Sequence, residues 1–332
     1  MALILSRADA QRCLTMRDAI EAMNVAFGAL RDGLALVPQR AAVPLAEQGV
    51  ALLMPSLIQT SQEHAFGLKV VTVMPRNPQG GLSRIYATVL LLDDTTGRAL
   101  AIMEGGWLTA MRTGAASGLA TALLARQDAA ILTVFGAGAQ APMQIVAAHT
   151  ARPLREVRVV NRDMLHYHAL VETVQHMLGN DCPPLQHFSL ESSREALSGA
   201  SLVACATTAT TPLFEWRDIA PGTHINAVGA FTPEMCEIDA ETLAHARIVV
   251  DQRESAMAEA GDLLQALAAG RISGSETWSE LGEIVRGARP ARQSAEEITV
   301  FKSVGNAVQD VAVALRVYNR ARYLGLGVEV DV

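Results

Sequence analysis

The chain has 332 residues, half of them hydrophobic and only 4% aromatic, which allows two domains whose cores are built mainly from alanine, valine and leucine. Its formal net charge of −7 and its lack of long lysine or arginine runs argue against nucleic-acid binding. Residues 1–9 do not read as a signal peptide, and no apolar run approaches the roughly 20 residues that span a bilayer, so we expect a cytoplasmic chain without membrane contact.

The first third of the chain predicts a helix followed by a mainly antiparallel sheet. The helix begins at a capping box in residues 15–18, continues through regularly spaced apolar positions and ends at Gly33. Four strands are predicted after it, over residues 50–54, 66–73, 85–92 and 100–103. A turn of sequence Asp-Thr-Thr-Gly, at residues 94–97, joins the last two strands.

The remainder of the chain predicts a doubly wound, parallel α/β sheet. A helix of small side chains is expected over residues 108–124. Short apolar strands then alternate with helices. The predicted strands are 131–135, 157–160, 202–206, 224–228, 248–250 and 298–301. A last helix, residues 307–323, is expected to leave this sheet and rejoin the first domain.

We therefore predict a Rossmann domain, residues 118–305, inserted into a smaller α+β domain made of residues 1–117 plus 306–332. A glycine-rich loop, residues 136–141 (GAGAQA), follows the first strand of the inserted domain and opens the next helix. It fits the G-x-G-x-x-G/A pattern of dinucleotide-binding sites. We assign the tight turn to Gly136 and the close approach of a pyrophosphate to Gly138. Further cofactor contacts are expected from the start of the helix, at Ala139 and Gln140.

The second strand of the inserted domain ends at Asn161 and Arg162. An NAD-specific site usually has Asp or Glu there, to hold the ribose hydroxyls. A neutral amide tolerates a 2′-phosphate and a guanidinium pairs with one, so we predict NADPH as the cofactor. In the alternative, Arg162 is a solvated residue over the adenine and NADH is also accepted.

The four cysteines indicate no metal site, because none lies at C-x-x-C spacing and no histidine cluster accompanies them. We expect reduced and mostly buried thiols, as in cytosolic chains. The eight histidines are scattered, and none forms a triad with Ser or Cys. His64 and His224 are expected to be surface or core residues rather than catalytic bases.

Five segments make the chain resemble the ornithine cyclodeaminase/mu-crystallin family. In chain order they are residues 67–71 (GLKVV), 108–115 (LTAMRTGA), 136–141 (GAGAQA), 225–229 (INAVG) and 301–305 (FKSVG). The resemblance implies a homodimer whose substrate-binding and dimerisation domain is the smaller one. Family members make or use a C=N bond beside a carboxylate, so the family alone does not fix the reaction.

Three basic residues match the family positions that hold a substrate carboxylate: Arg40, Lys69 and Arg112. Lys69 lies inside an apolar run and Arg112 among small residues of a helix. Charges in such places need a partner, and an anionic substrate would supply one. The alternative for each residue is a structural ion pair, for which Glu104 is the obvious partner.

The chain departs from the ornithine cyclodeaminases of the family at Phe231. Those enzymes carry an Asp here that handles the substrate amine, whereas phenylalanine accepts neither a proton nor a cation. The Phe-Thr-Pro-Glu-Met stretch of residues 231–235 instead resembles the ketimine reductase branch, and an apolar ring suits a flat cyclic imine. The alternative is that Phe231 only packs within its loop.

The predicted reaction is hydride transfer from NADPH to the imine carbon of a small cyclic imino acid. We assign Arg112 and Arg40 to the carboxylate, a positioning role, and Lys69 to protonation of the nitrogen, directly or through water. If the imine arrives protonated, Lys69 only orients it. Further cofactor contacts are predicted at strand ends and beside Arg112, by Thr113, Thr207, Thr208, Val228, Ser303 and Gly305.

Two rival functions and one ambiguous residue stay open. The enzymatic rival is amino-acid dehydrogenation of the alanine or arginine type, or residual cyclodeamination. The other is an NADPH- and small-ligand-binding protein like mu-crystallin. Asp310 resembles an acidic position of the family, and the electrostatics of a helix start explain it equally well.

Overall fold

The computed structural model describes residues 1–61 and 63–331 of the chain. These form two compact units, one made of Met1–Arg112 and Asn306–Val332 and the other of Thr113–Gly305. The second unit is thus inserted into the first. The predicted α/β class, with a parallel sheet inserted into an α+β domain, is confirmed.

The first unit is a mainly antiparallel sheet with helices. Its strands are β1 (Ala2–Leu5), β2 (Ala35–Leu36), β3 (Ala41–Pro44), β4 (Val50–Gln59), β5 (His64–Val73), β6 (Ile85–Leu92), β7 (Ala99–Glu104) and β16 (Val328–Val330). Its helices are α1 (Arg7–Cys13), α2 (Met16–Arg31), the start of α3 (Gly105–Leu124), and α11 (Ala307–Leu324). The strands lie in the order β16-β1-β7-β6-β5-β4-β2, and β3 also pairs with β4.

The side chains of β5 point to the two opposite faces of this sheet. Ala65, Gly67 and Lys69 are buried on the face covered by α11, where a Cβ on Gly67 would lie 2.9 Å from Val311. Since side chains alternate along a strand, the residues between them point the other way. Their cross-strand partners give that side a set of half-buried apolar residues, here called the outer sheet face: Leu57, Phe66, Leu68, Leu90, Leu92 and Ile102.

The second unit is a parallel sheet with helices. Its strands are β8 (Ile131–Phe135), β9 (Glu156–Val160), β10 (Leu185–Phe188), β11 (Leu202–Cys205), β12 (His224–Ala227), β13 (Arg247–Val250), β14 (Ser279–Glu280) and β15 (Thr299–Lys302). Its helices are the rest of α3, α4 (Ala141–Ala151), α5 (Met164–Leu178), α6 (Ser193–Leu197), α7 (Ala240–His245), α8 (Arg253–Glu259), α9 (Gly261–Ala268) and α10 (Leu281–Val285). The strand order is β10-β9-β8-β11-β12-β15-β13-β14, with parallel pairing throughout.

The central strands of the parallel sheet are buried on both sides. Along β11, Val203 and Cys205 pack in one apolar cluster, whereas Leu202 and Ala204 pack in another. Strands covered on both faces have continuous apolar sequences, which is why this sheet could be predicted from short apolar runs. Helix α3 approaches α4 so closely that a Cβ on Gly114 would lie 2.6 Å from a backbone oxygen.

Every strand predicted above is present, with ends shifted by a few residues, as is the last helix. The predicted capping box is also confirmed: Thr15 and Asp18 cap α2 reciprocally. The prediction missed short strands, among them β1, β10 and β16, which contain too few residues to show a period. Within the described residues, no helix combines the length and hydrophobicity needed to cross a membrane.

Candidate active site

Two buried cations of the first unit share one carboxylate. Lys69, on the buried face of β5, places its Nζ 2.8 Å from Oδ2 of Asp310. Arg112, on α3, donates from Nε to the other oxygen of Asp310 at 3.1 Å and from Nη1 to Oε1 of Gln309. Asp310 and Gln309 lie in the first turn of α11 and are fully buried. We call these four residues the cation cluster.

The cation cluster carries more positive than negative charge, because two cations face one carboxylate. The pKa of Lys69 is lowered to about 8, first by burial and then by the charge of Arg112, while Asp310 opposes the shift. The charge of Arg40, a half-buried residue directly before β3, also lowers it. A buried excess of positive charge is costly unless an anion joins it. The cluster is therefore suited to bind a small acid.

In the alternative of a structural ion pair, Glu104 was the candidate partner, but among the described residues Lys69 and Arg112 pair with Asp310. Both carboxylate oxygens of Glu104 instead accept hydrogen bonds at the start of α3, from the backbone N–H groups of Gly106 at 2.6 Å and Trp107 at 3.0 Å. A carboxylate is stabilised there by the free N–H groups of the helix start. Asp310 is the partner of both cations. This ion pairing, and not helix-start electrostatics alone, explains why an acidic residue stands at this position.

The glycine-rich loop of the second unit lies between β8 and α4. Gly136 has a φ of 97°, and a Cβ there would lie 2.6 Å from the carbonyl oxygen of Ala206, so this position requires glycine. A Cβ on Gly138 would meet no atom within 4 Å. The protein itself therefore gives no steric reason for glycine at 138, whereas a ligand that approaches the backbone does.

The loop exposes donors suited to an anion. Within the described residues, the backbone N–H groups of Gly138, Ala139 and Gln140 have no acceptor, and they precede the first turn of α4. The Gln140 side chain makes no capping hydrogen bond to α4. Free N–H groups and the positive end of a helix dipole form a common phosphate-binding arrangement. The residues present fit the pyrophosphate of a dinucleotide.

Predicted cofactor residues of the second unit follow five of its parallel strands. Gly136, Asn161, Thr207, Val228 and Ser303 come directly or within two residues after β8, β9, β11, β12 and β15. Parallel strands end at one edge of their sheet, and ligands of doubly wound sheets bind along that edge.

The side chains of the predicted site residues in the second unit differ in exposure. Asn161 is buried, and its Nδ2 donates to the carbonyl oxygen of Asp163 at 2.6 Å. Arg162 and Thr208 are exposed. Thr113 is buried at the start of the second unit. Phe231 exposes 40% of its surface.

The family model "Ornithine cyclodeaminase/mu-crystallin family" matches residues 1–324. The chain belongs to this family. It is 37% identical to Delta(1)-pyrroline-2-carboxylate reductase of Bacillus cereus over 331 residues, 99% of each chain, and 36% identical to ketimine reductase mu-crystallin of Mus musculus over 301 residues, 90% of each. A solved structure, Thermococcus litoralis Delta(1)-pyrroline-2-carboxylate reductase in complex with NADH and L-proline, has a TM-score of 0.92 and 37% identity, covering 99% of this chain and 100% of that one. The resemblance inferred from the five segments is thus confirmed.

Sequence reasoning missed the buried carboxylates that hold the loops of this family member. Glu237 accepts from the backbone N–H and hydroxyl of Thr207 at 2.7 and 2.8 Å and from the N–H groups of Gly229 and Ala230 at 2.7 and 3.0 Å. Burial raises the pKa of Glu237. This side chain ties the loop after β11 to the loop that leads to Phe231.

Two further buried groups act on neighbouring backbone. Asp251 accepts from the Ser303 hydroxyl at 2.7 Å and from the N–H of Gly305 at 2.8 Å, which fixes the turn after β15. Lys302 lies 2.6 Å from Asp262 and donates to the carbonyl oxygen of Ala230 at 2.5 Å. No local sequence pattern pairs these residues, since their partners are distant in the chain.

His224 is a core residue, as expected. It is fully buried, within hydrogen-bond distance of Asn226 and Thr299, and burial lowers its pKa to about 3. A neutral imidazole with both nitrogens engaged is a structural element rather than a catalytic base.

Proposed function

We propose that this chain is an NAD(P)H-dependent ketimine reductase, which reduces Delta(1)-pyrroline-2-carboxylate or Delta(1)-piperideine-2-carboxylate to proline or pipecolate. The observation that carries the proposal is the cation cluster, in which Lys69 and Arg112 share a single carboxylate. The carboxylate of a small imino acid supplies the missing negative charge. The full-length similarity to reductases of such imines supports the same reaction.

In the proposed mechanism, Arg112 and Arg40 hold the substrate carboxylate and so fix the adjacent imine carbon. Reduced nicotinamide, when bound, supplies the hydride for that carbon. Lys69 donates a proton to the nitrogen, directly or through water, so that C=N becomes CH–NH. A lysine with a pKa of about 8 suits this role, since it is protonated at neutral pH and releases its proton readily.

We assign cofactor binding to the glycine-rich loop and to the residues that follow the parallel strands. Gly138, with its neighbouring free N–H groups, receives the pyrophosphate. Arg162 is exposed directly after Asn161, where a guanidinium pairs with the 2′-phosphate of NADPH. NADH is the second cofactor of the proposal, because the neutral Asn161 excludes neither.

The proposal is tested with purified protein, NADPH or NADH, and each of the two cyclic ketimines. We expect oxidation of the cofactor and formation of proline or pipecolate. Matched reactions contain NAD⁺ with ornithine, alanine or arginine. Ammonia release from ornithine would contradict the proposal, and cofactor binding without turnover in any mixture would favour a binding protein. Phe231 in place of the cyclodeaminase Asp leads us to expect no ornithine turnover.

The pKa of Lys69 predicts a pH dependence. Because this pKa is lowered to about 8, the ammonium form is present below that pH and is lost above it. We expect kcat/KM for the ketimine to fall roughly tenfold per pH unit above the pKa. The measurement is a kcat/KM profile between about pH 6 and 10.

The control for the pH profile is Lys69→Met. The substrate titrates as well, and its contribution to the pH dependence of kcat/KM is retained in the variant. The fall in kcat/KM that is due to Lys69 disappears from the variant. An alkaline limb of the same midpoint in both proteins would show that Lys69 is not the proton donor.

We further propose that the first unit forms a homodimer through its outer sheet face. The six residues of this face are apolar and only half-buried in one chain, although an antiparallel sheet normally presents polar residues on a face that meets water. A second copy brings the same apolar surface and covers it symmetrically. Substrate binding and dimerisation are thereby assigned to the same unit, on opposite faces of β5.

The dimer proposal predicts that Leu68→Asp is monomeric. Leu68 lies between Pro55 of β4 and Leu90 of β6, and a carboxylate there places charge within the outer sheet face. The mass in solution is measured by light scattering during size-exclusion chromatography. The matched control is Gln175→Asp, which adds the same side chain at an exposed position of α5. A wild-type protein of one-chain mass, or a dimeric Leu68→Asp variant, would argue against this interface.

A further inference from the structure

Gln309 has a buried hydrogen-bond donor that meets no acceptor in residues 1–61 and 63–331. The residue is fully buried in the first turn of α11, beside Asp310. Its Oε1 accepts from Nη1 of Arg112, while its Nε2 has no partner within the described residues. Buried polar groups are nearly always paired, so an unpaired one calls for an explanation.

The orientation of this amide is determined by its neighbour. A guanidinium has only donors, so it can face only the oxygen of the Gln309 amide. The amide nitrogen then necessarily points elsewhere and presents a donor. Asn306 is also buried, but neither of its amide atoms has a hydrogen-bond partner within the described residues, so no such partner fixes its orientation. Gln309 is therefore the residue whose unpaired donor has a defined orientation.

We propose that Gln309 is a substrate-binding residue, whose Nε2 donates to a carboxylate oxygen of the imino acid; this rests on the proposed function. Both oxygens of Asp310 are already engaged by Lys69 and Arg112. The cluster therefore lacks acceptors, and the oxygens of a bound carboxylate supply them. A neutral donor adds a hydrogen bond without adding positive charge to a site that already has an excess of it.

The proposed contact also selects the orientation of the substrate. Once protonated, the imine nitrogen of a cyclic ketimine is a donor, and it would meet Nε2 of Gln309 as donor against donor. The carboxylate end makes the favourable contact. Gln309 thus adds to the discrimination that the two cations already make between the two ends of a small ring that carries both groups.

The test compares Gln309→Met with wild type in steady-state reduction of Delta(1)-pyrroline-2-carboxylate. Methionine has a similar length and no donor. We expect KM to rise roughly 10- to 30-fold, with kcat within about threefold of wild type. The matched control is Gln144→Met, at another buried glutamine whose amide is unpaired within the described residues, in α4. Its KM for the ketimine is expected to be unchanged.

A double-mutant cycle distinguishes direct contact of Gln309 with the substrate carboxylate from an effect that acts only through Arg112. In an Arg112→Met background, a residue that merely supports Arg112 has no further effect. A residue that contacts the carboxylate lowers kcat/KM by roughly another tenfold when it is replaced. An unchanged KM in Gln309→Met, or no added effect in the Arg112→Met background, would overturn the inference.

Should Gln309→Met not fold, Gln309→Asn takes its place, since it retains the amide but withdraws it from the ligand, and the same rise in KM is expected. If the wild-type protein does not reduce cyclic ketimines, the proposed function fails. If it does and the Gln309 variants match it, only this inference fails.

Discussion

Replacing Arg112 with methionine should lower kcat/KM for Delta(1)-pyrroline-2-carboxylate by roughly 10²- to 10⁴-fold, because a guanidinium makes two charge-assisted hydrogen bonds to a carboxylate, each worth roughly 1.5–3 kcal/mol. The remaining cluster has one cation, Lys69, paired with one carboxylate, Asp310. It is then neutral, so its attraction for an anionic substrate is lost along with the hydrogen bonds. Steady-state kinetics over a wide range of ketimine concentrations measure the effect.

Asp310→Asn is the informative contrast to this variant. It removes the carboxylate and leaves Lys69 and Arg112 buried together without an anion. Breaking a buried ion pair in this way costs about 3–5 kcal/mol of folding free energy. We therefore expect urea unfolding to show a larger loss of stability in Asp310→Asn than in Arg112→Met. Turnover of ketimines at the wild-type rate by Arg112→Met would refute the assignment of the carboxylate to the cation cluster.

The sequence was sufficient to predict the elements that carry the cation cluster, and it could not predict how they meet. The apolar run around Lys69 predicted β5, and small residues around Arg112 predicted α3. Asp310 was left ambiguous because its partners lie on strands and helices far away in the chain. Glu104 was named as a candidate partner, whereas both of its oxygens accept from the backbone N–H groups of the helix start beside it.

In the second unit, local patterns predicted the strands and the glycine-rich loop but none of the groups that hold the neighbouring loops. Glu237, Asp251 and Asp262 bond to backbone N–H groups that only the folded chain brings near them. A carboxylate among loop residues looks like any solvated acid in the sequence. The position of Phe231 depends on such a group, because Glu237 binds the N–H of Ala230, the residue before it.

In the glycine-rich loop, the fold requires glycine at position 136, whereas we assign the requirement for glycine at position 138 to the ligand. Variants of the two residues distinguish these requirements. Gly138→Val should leave the stability of the protein nearly unchanged, because its added atoms begin in open space and its φ lies outside the left-handed region. The same atoms occupy the place assigned to the pyrophosphate. We expect the Kd for NADPH and NADH to rise by at least about 100-fold, as close backbone approach and free N–H groups both depend on glycine there.

Gly136→Ala is the matched variant, and its defect should be the opposite one. With a φ of 97° and a carbonyl oxygen 2.6 Å from the new Cβ, alanine is strained in the folded chain itself. A loss of about 1–3 kcal/mol in folding free energy is expected. Thermal unfolding and cofactor fluorescence titration of both variants give the two quantities side by side. NADPH binding of wild-type strength by Gly138→Val would place the pyrophosphate away from this loop, and with it the proposed source of the hydride.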